Sequence, residues 1–137
     1  MKSVLFVCHG NICRSVSAEY ILKNLNKSIK VESRATSLEE IGNDIYPPMK
    51  EVLLKHNIKL DRYFAKKITI DDYNNFDLII CFDENNISNL KRILPDTKKV
   101  RKLLDKDILD PWYTRDFETA YNEIYEGCLK LVSLLDK

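Results

Sequence analysis

Apolar positions along the chain follow two periods. Residues 4–7 and 76–82 are near-continuous apolar runs of strand length, the pattern of strands buried on both faces. Residues 29–33 alternate, as a strand with one solvated face does, and the basic stretch 98–104 reads as a short edge strand whose lysines discourage further pairing. Elsewhere the period is helical. Ala18, Ile21, Leu22 and Leu25 recur at i, i+3, i+4 and i+7. Pro47 and Pro48 open a helix carrying Met49, Val52, Leu53 and His56 on one face, with Asn57 as its end signal. A short helix is expected near residues 70–73. Asp83 is an N-cap candidate ahead of Ile87, Leu90 and Leu94, and Pro95 ends that run. Phe117, Ala120, Tyr121, Ile124, Cys128, Leu131 and Leu135 trace a long final amphipathic helix. Strands returning parallel through helices make right-handed βαβ units. The expected fold is therefore α/β, one domain over residues 1–137, with an open, doubly wound, four-stranded parallel sheet flanked by helices.

Composition narrows the function classes. A formal net charge of +1 provides no field for gripping nucleic acid or an anionic membrane. The longest apolar runs fall far short of a membrane span, and residues 4–7 are too short for a signal-peptide core. The expectation is a cytoplasmic chain in which the 4 cysteines need not pair.

The chemistry concentrates in the loop between the first strand and the first helix, Cys8-His9-Gly10-Asn11-Ile12-Cys13-Arg14-Ser15. A loop curled onto a helix N-terminus aims backbone N–H groups into one concavity, where the helix dipole favours an anion. Gly10 and Asn11 are residue types that accept positive φ, which such a loop needs. Arg14 can grip two phosphate oxygens with its planar fork. The same positive field favours the Cys8 thiolate, the nucleophilic form, and the Ser15 hydroxyl can donate to it. A bare Cys-x5-Arg is weak by itself. The strand before it, the Gly-Asn within it, the serine after it and the helix beyond it all agree.

Val7-Cys8-x-Gly10-Asn11-x-Cys13-Arg14-Ser15 resembles the phosphate loop of the low-molecular-weight protein tyrosine phosphatases. The resemblance extends through Ser33-Arg34-Ala35-Thr36-Ser37, Ile41-Gly42-Asn43, residues 81–86 and Asp110-Pro111-Trp112-Tyr113. Val16 stands where the family usually has proline. The resemblance implies a metal-independent, cofactor-free hydrolase acting on phosphotyrosine in a protein or peptide, or on small aryl phosphates, with inorganic phosphate as product and inhibitor. It assigns Cys8 as nucleophile, Arg14 as phosphate clamp and Asp110 as general acid and then base. The phosphate would lie on residues 9–15, namely His9, Gly10, Asn11, Ile12, Cys13, Arg14 and Ser15. Ser15, Ser33, Asp83 and Asn86 would support that loop, although Ser33 reads equally as a turn serine and Asp83 as a plain helix cap. His9, Ile12, Leu38, Glu39, Trp112 and Tyr113 would line the substrate cleft, whose 36–46 wall looks less aromatic and more acidic than is usual. Cys13 would form a reversible disulfide with Cys8 under peroxide. The histidine that some relatives carry near Tyr63 to support the loop is missing here.

Other readings share parts of this pattern. Arsenate reductases of the same fold need two further cysteines, and none follows Cys81 closely. Protein-arginine phosphatases carry threonine where Ile12 stands and lack the aromatic pair. A non-catalytic phosphate-binding module should have lost Cys8, Arg14 or Asp110, and phosphocysteine carriers lack the arginine. A metal site on Cys8, His9 and Cys13 lacks a fourth ligand.

Overall fold

The structure is a computed structural model and describes residues 2–135. Met1, Asp136 and Lys137, which the 1–137 domain expectation includes, lie outside the described residues. Ten elements follow one another: β1 (Ser3–Cys8), α1 (Arg14–Leu25), β2 (Lys30–Ala35), α2 (Pro47–Lys55), α3 (Ile70–Asn75), β3 (Leu78–Cys81), α4 (Glu84–Ile93), β4 (Val100–Lys102), α5 (Pro111–Thr114) and α6 (Phe117–Leu135). The sheet is parallel throughout, in the order β2-β1-β3-β4.

Strand alternation divides the core in two. Val4, Phe6 and Cys8 of β1, with Ile80 and Phe82 from β3 and its exit, face a large cluster with Ile21, Met49, Leu53, Ile124 and Cys128. Leu5 and Val7 face the other side, with Ile79, Cys81, Tyr73 and Leu90. Helices α1, α2 and α6 thus cover one face and α3 and α4 the other, which is why β1 from Val4 onward and β3 are apolar on both faces. Each fully buried Leu, Ile or Phe in these layers contributes about 1.5–3 kcal/mol over its exposed state. Gly127 allows α6 to close on the sheet edge, since a Cβ there would overlap Leu103.

Boundaries differ from the sequence pattern where backbone partners decide. β2 runs on to Ala35 because its ladder with β1 continues to the Cys8–Ala35 pair. β3 is shorter than its apolar run, and β4 keeps three residues. α3 extends to Asn75 behind a capping box between Thr69 and Asp72. α5 was not signalled by any apolar period. It is a single turn made by a cap, Asp110, and a proline at the first helical position.

The carboxyl ends of β1, β2 and β3 share one edge of the sheet. The segment after β4 is drawn over that edge by backbone bonds from Leu103 N–H to Cys81 O (2.9 Å) and from Ile108 N–H to Phe82 O (2.8 Å). Open α/β sheets bind ligands at this edge. Among the described residues, no helix is long and apolar enough to cross a membrane.

Candidate active site

Cys8 is the last residue of β1 and is almost fully buried. Its Sγ accepts the Asn11 backbone N–H at 3.3 Å and lies 2.9 Å from Ser15 Oγ. The N-terminus of α1, which begins at Arg14, follows the loop directly.

The loop between these points is held open by Asn11. Its φ of 63° is left-handed, and Asn tolerates that region better than most residues. The side chain is fully buried. Asn11 Nδ2 donates to Ser15 Oγ at 2.8 Å and to Ser33 Oγ at 2.9 Å, and Oδ1 accepts the Lys66 N–H at 3.0 Å. Ser33 Oγ in turn donates to the buried Glu19 Oε1 at 2.6 Å. Tyr63 Oη donates to the Asn11 carbonyl at 2.7 Å. Burial pushes the Tyr63 phenol well above its ordinary pKa, so it remains a donor. Tyr63 therefore supports the loop in a chain without the expected histidine. Gly10 does not use positive φ, contrary to expectation, and the left-handed step falls on Asn11 alone among residues 8–15. The space beside Gly10 is instead bounded by Glu40 Cγ and Ile12 Cγ1, 3.6 and 3.7 Å from where a Cβ would stand.

Arg14 is only 2% exposed, a buried cation that requires partners. Nη1 donates to Asp83 Oδ2 at 2.7 Å and to the Ile108 carbonyl at 2.7 Å, while Nη2 lies 3.5 Å from Asp110 Oδ2. Burial works against the charge, but Cys8, Asp110 and Asp83 outweigh it and raise the Arg14 pKa above its ordinary value. Asp83 does two jobs at once, since its Oδ1 caps α4 on the Asn86 N–H at 2.7 Å. Asn86 stands a step further away, accepting the Phe82 N–H at 3.0 Å rather than touching the loop. Asp110 caps α5 through the Trp112 N–H at 3.0 Å and keeps the extended backbone that a following proline imposes.

The cleft walls come from three segments. Ile12, Trp112 and Tyr113 line it, together with His9, whose Nε2 meets Glu39 Oε2 at 3.0 Å. Leu38 does not line it. It starts a turn closed by Ile41 N–H on its carbonyl, is 72% exposed, and Glu40 takes the wall position instead. The 36–46 segment does carry one aromatic residue, Tyr46, which packs against Trp112 with ring centroids 4.6 Å apart and lines an adjoining groove rather than this cleft. Cys13 is a buried free thiol, pushed up in pKa by burial first and then by the charges of Cys8 and Asp110. Among the described residues, no group of three or more His, Cys, Asp or Glu is placed to hold a metal ion.

A sulfur held by one backbone N–H and the Ser15 hydroxyl, a buried guanidinium and a carboxylate beside it thus face one cleft. The sequence profile of the family described as low molecular weight phosphotyrosine protein phosphatase matches residues 3–137. The chain belongs to that family. The phosphatase is 36% identical to the Staphylococcus aureus low molecular weight protein-tyrosine-phosphatase PtpA, over all of this chain and 96% of the relative. Among solved structures it is similar to SP-PTP, a low molecular weight protein tyrosine phosphatase from Streptococcus pyogenes (TM-score 0.95, 41% identity, covering 98% of this chain and 93% of that one). It is also similar to Wzb from Vibrio vulnificus, solved with benzylphosphonate (TM-score 0.90, 26% identity, covering 96% and 97%).

Four residues in and around this cleft escaped the sequence reading. Tyr63 and Glu19 bond into the loop support, Glu40 forms cleft wall, and Tyr46 packs against Trp112 from the adjoining groove. Glu19 had one local signal, a carboxylate one position after Ala18 on the otherwise apolar side of α1. The other three lie in irregular segments, where no period points inward.

Proposed function

We propose that the chain, as one domain over residues 1–137, is a protein tyrosine phosphatase that works through a phosphocysteine intermediate. The observation that carries this is the Cys8 sulfur, held by the Asn11 N–H and Ser15 Oγ in one cleft with Arg14 and Asp110. The substrate phosphate sits on the N–H groups of residues 9–15. Both Arg14 Nη1 hydrogens have acceptors, which leaves Nη2 and Nε to bind two equatorial phosphate oxygens. Because Asp83 and Ile108 already orient the guanidinium, little reorganisation is needed as charge develops. Cys8 Sγ donates its electron pair to phosphorus while the P–O bond to tyrosine breaks. Asp110, protonated, gives its proton to the departing phenolate, whose conjugate acid has a pKa near 10. In the second step Asp110 takes a proton from water, the water oxygen attacks phosphorus, and the S–P bond breaks to release inorganic phosphate. Phosphate then competes for the same cradle as product inhibitor.

Phosphotyrosine is favoured over shorter phosphoesters by the wall. Ile12, Trp112 and Tyr113 flank a slot in which an aryl ring stacks and still reaches sulfur. The test is hydrolysis of phosphotyrosine, phosphoserine and phosphoarginine peptides with chelator present and Cys8→Ser as control. Cys8-dependent turnover of phosphotyrosine alone is expected, and Cys8→Ser should still bind inorganic phosphate. Preference for phosphoarginine would overturn the reading of Ile12 and the aromatic pair.

A further inference from the structure

We propose that this phosphatase selects phosphotyrosine segments carrying a lysine or arginine next to the phosphotyrosine, and that Glu40 reads that cation. The proposal rests on the phosphotyrosine reading above. The phosphate cleft adjoins a second groove, and the two share Ile12, Glu40 and Trp112 as lining residues. Glu40 is therefore on the wall between them, with its side chain packed against Gly10 of the phosphate loop.

A carboxylate in that place is electrostatically odd. A phosphate dianion seated on residues 9–15 repels it, and the half-buried setting weakens solvent screening. Neighbouring Glu39 already has His9 as partner at 3.0 Å. The bond recorded for Glu40 is to a neutral group, the Asn43 amide, at 2.6 Å, and among the described residues no Lys, Arg or His pairs with it. A cation on the substrate, placed between carboxylate and phosphate, removes the conflict.

The neighbouring groove suits such a side chain. Its aromatic surface is Tyr46 and Trp112, and Asp44 and Glu51 add carboxylates along it. Its one lysine, Lys50, is bound to Asp44 Oδ2 at 2.8 Å. Arg115 stands over the Tyr46 ring at 5.2 Å but does not line the groove. A lysine or arginine stem lies on the aromatic surface and its head reaches the acids, with the ring faces adding cation–π attraction. An acidic neighbour in the same place meets the carboxylates of Glu40 and Glu51, the one lysine there being already paired with Asp44.

The test measures kcat/KM for phosphotyrosine peptides that differ only in Lys, Ala or Glu beside the phosphotyrosine, on each side in turn. The wild-type chain should prefer Lys to Glu by about tenfold on the favoured side, the scale of a partly buried ion pair with an aromatic contact. High salt should shrink that ratio. Glu40→Gln should bring it close to one, and Glu40→Lys should invert it. A ratio cancels any general effect of a variant on turnover, and the salt arm needs no variant. Wild-type turnover of the Ala peptide without a Lys preference, or a preference that survives Glu40→Gln, would overturn the proposal and leave the phosphotyrosine reading intact. No turnover of any phosphotyrosine peptide would overturn both.

Discussion

Asn11 offers the sharpest test of how the phosphate loop keeps its shape. In Asn11→Ala, three side-chain hydrogen bonds disappear, to Ser15, Ser33 and the Lys66 N–H. Each is worth about 1 kcal/mol net. Alanine in the left-handed region at φ 63° adds about 1 kcal/mol of backbone strain. The sum is about 4 kcal/mol, a large part of a typical domain stability. At about 4 °C per kcal/mol for a domain of this size, Tm should fall by about 15 °C. Asn11→Gly loses the same bonds but not the backbone tolerance, so it should be less destabilised than Ala by about 1 kcal/mol. Urea unfolding measures both, and an unchanged m-value keeps the comparison within the native fold. The catalytic readout is kcat. Releasing Asn11 lets its own N–H drift from Cys8 Sγ and the Ser15 hydroxyl turn away, and a displacement on the order of 1 Å costs about 10²-fold. A loss under about 1 kcal/mol for Asn11→Ala, or a glycine variant no more stable than the alanine one, would refute the claim that this side chain holds the loop.

Asp110→Asn should slow phosphotyrosine hydrolysis by about 10²–10⁴-fold and affect an aryl phosphate with a far more acidic leaving group much less, as leaving-group dependence of kcat would show. Equal losses on both substrates would remove Asp110 as the acid. Arg14→Ala strands the Asp83 carboxylate beside Asp110, and thermal unfolding should report a loss of about 3–5 kcal/mol, with Arg14→Lys recovering part of the stability but little of the turnover. Burial raises the thiol pKa of Cys13, of Cys81 to about 12, and of Cys128. A folded-state pKa above the unfolded value near 9 gives stability that is complete below pH 9 and lost as pH rises toward the folded value. Unfolding free energy should therefore fall above pH 9 by about 1.4 kcal/mol per pH unit for each thiol. Cys128→Ala should flatten that slope by one proton, and an identical slope would contradict the assignment.

How much of this was legible in the chain depends on distance along it. Strand, loop and helix around Cys8 are contiguous, so residues 4–25 alone imply a thiol and a guanidinium at one anion-binding helix start. Asp110 and its aromatic neighbours were named through resemblance, because an Asp-Pro pair reads locally as no more than a turn. Asp83 was left between cap and brace, and the structure shows that its two oxygens do both. Tyr63, Tyr46 and Glu40 gave no local signal. Their directions are set by long-range backbone bonds, such as Tyr46 N–H to Ile12 O, Ala65 N–H to Asn43 O and Gly42 N–H to Ala65 O. Leu38 was placed on the cleft wall by resemblance, whereas a local turn closed by Ile41 N–H on its carbonyl leaves it exposed and Glu40, two residues later, lines the cleft. Sequence by itself determined the periodic elements and the chemistry of the first loop, because hydrophobic period, caps and glycine or proline act over a few residues. The tertiary structure alone decided which irregular segments fold over the strand ends. That choice depends on pairing buried polar groups tens of residues apart, which no local pattern records.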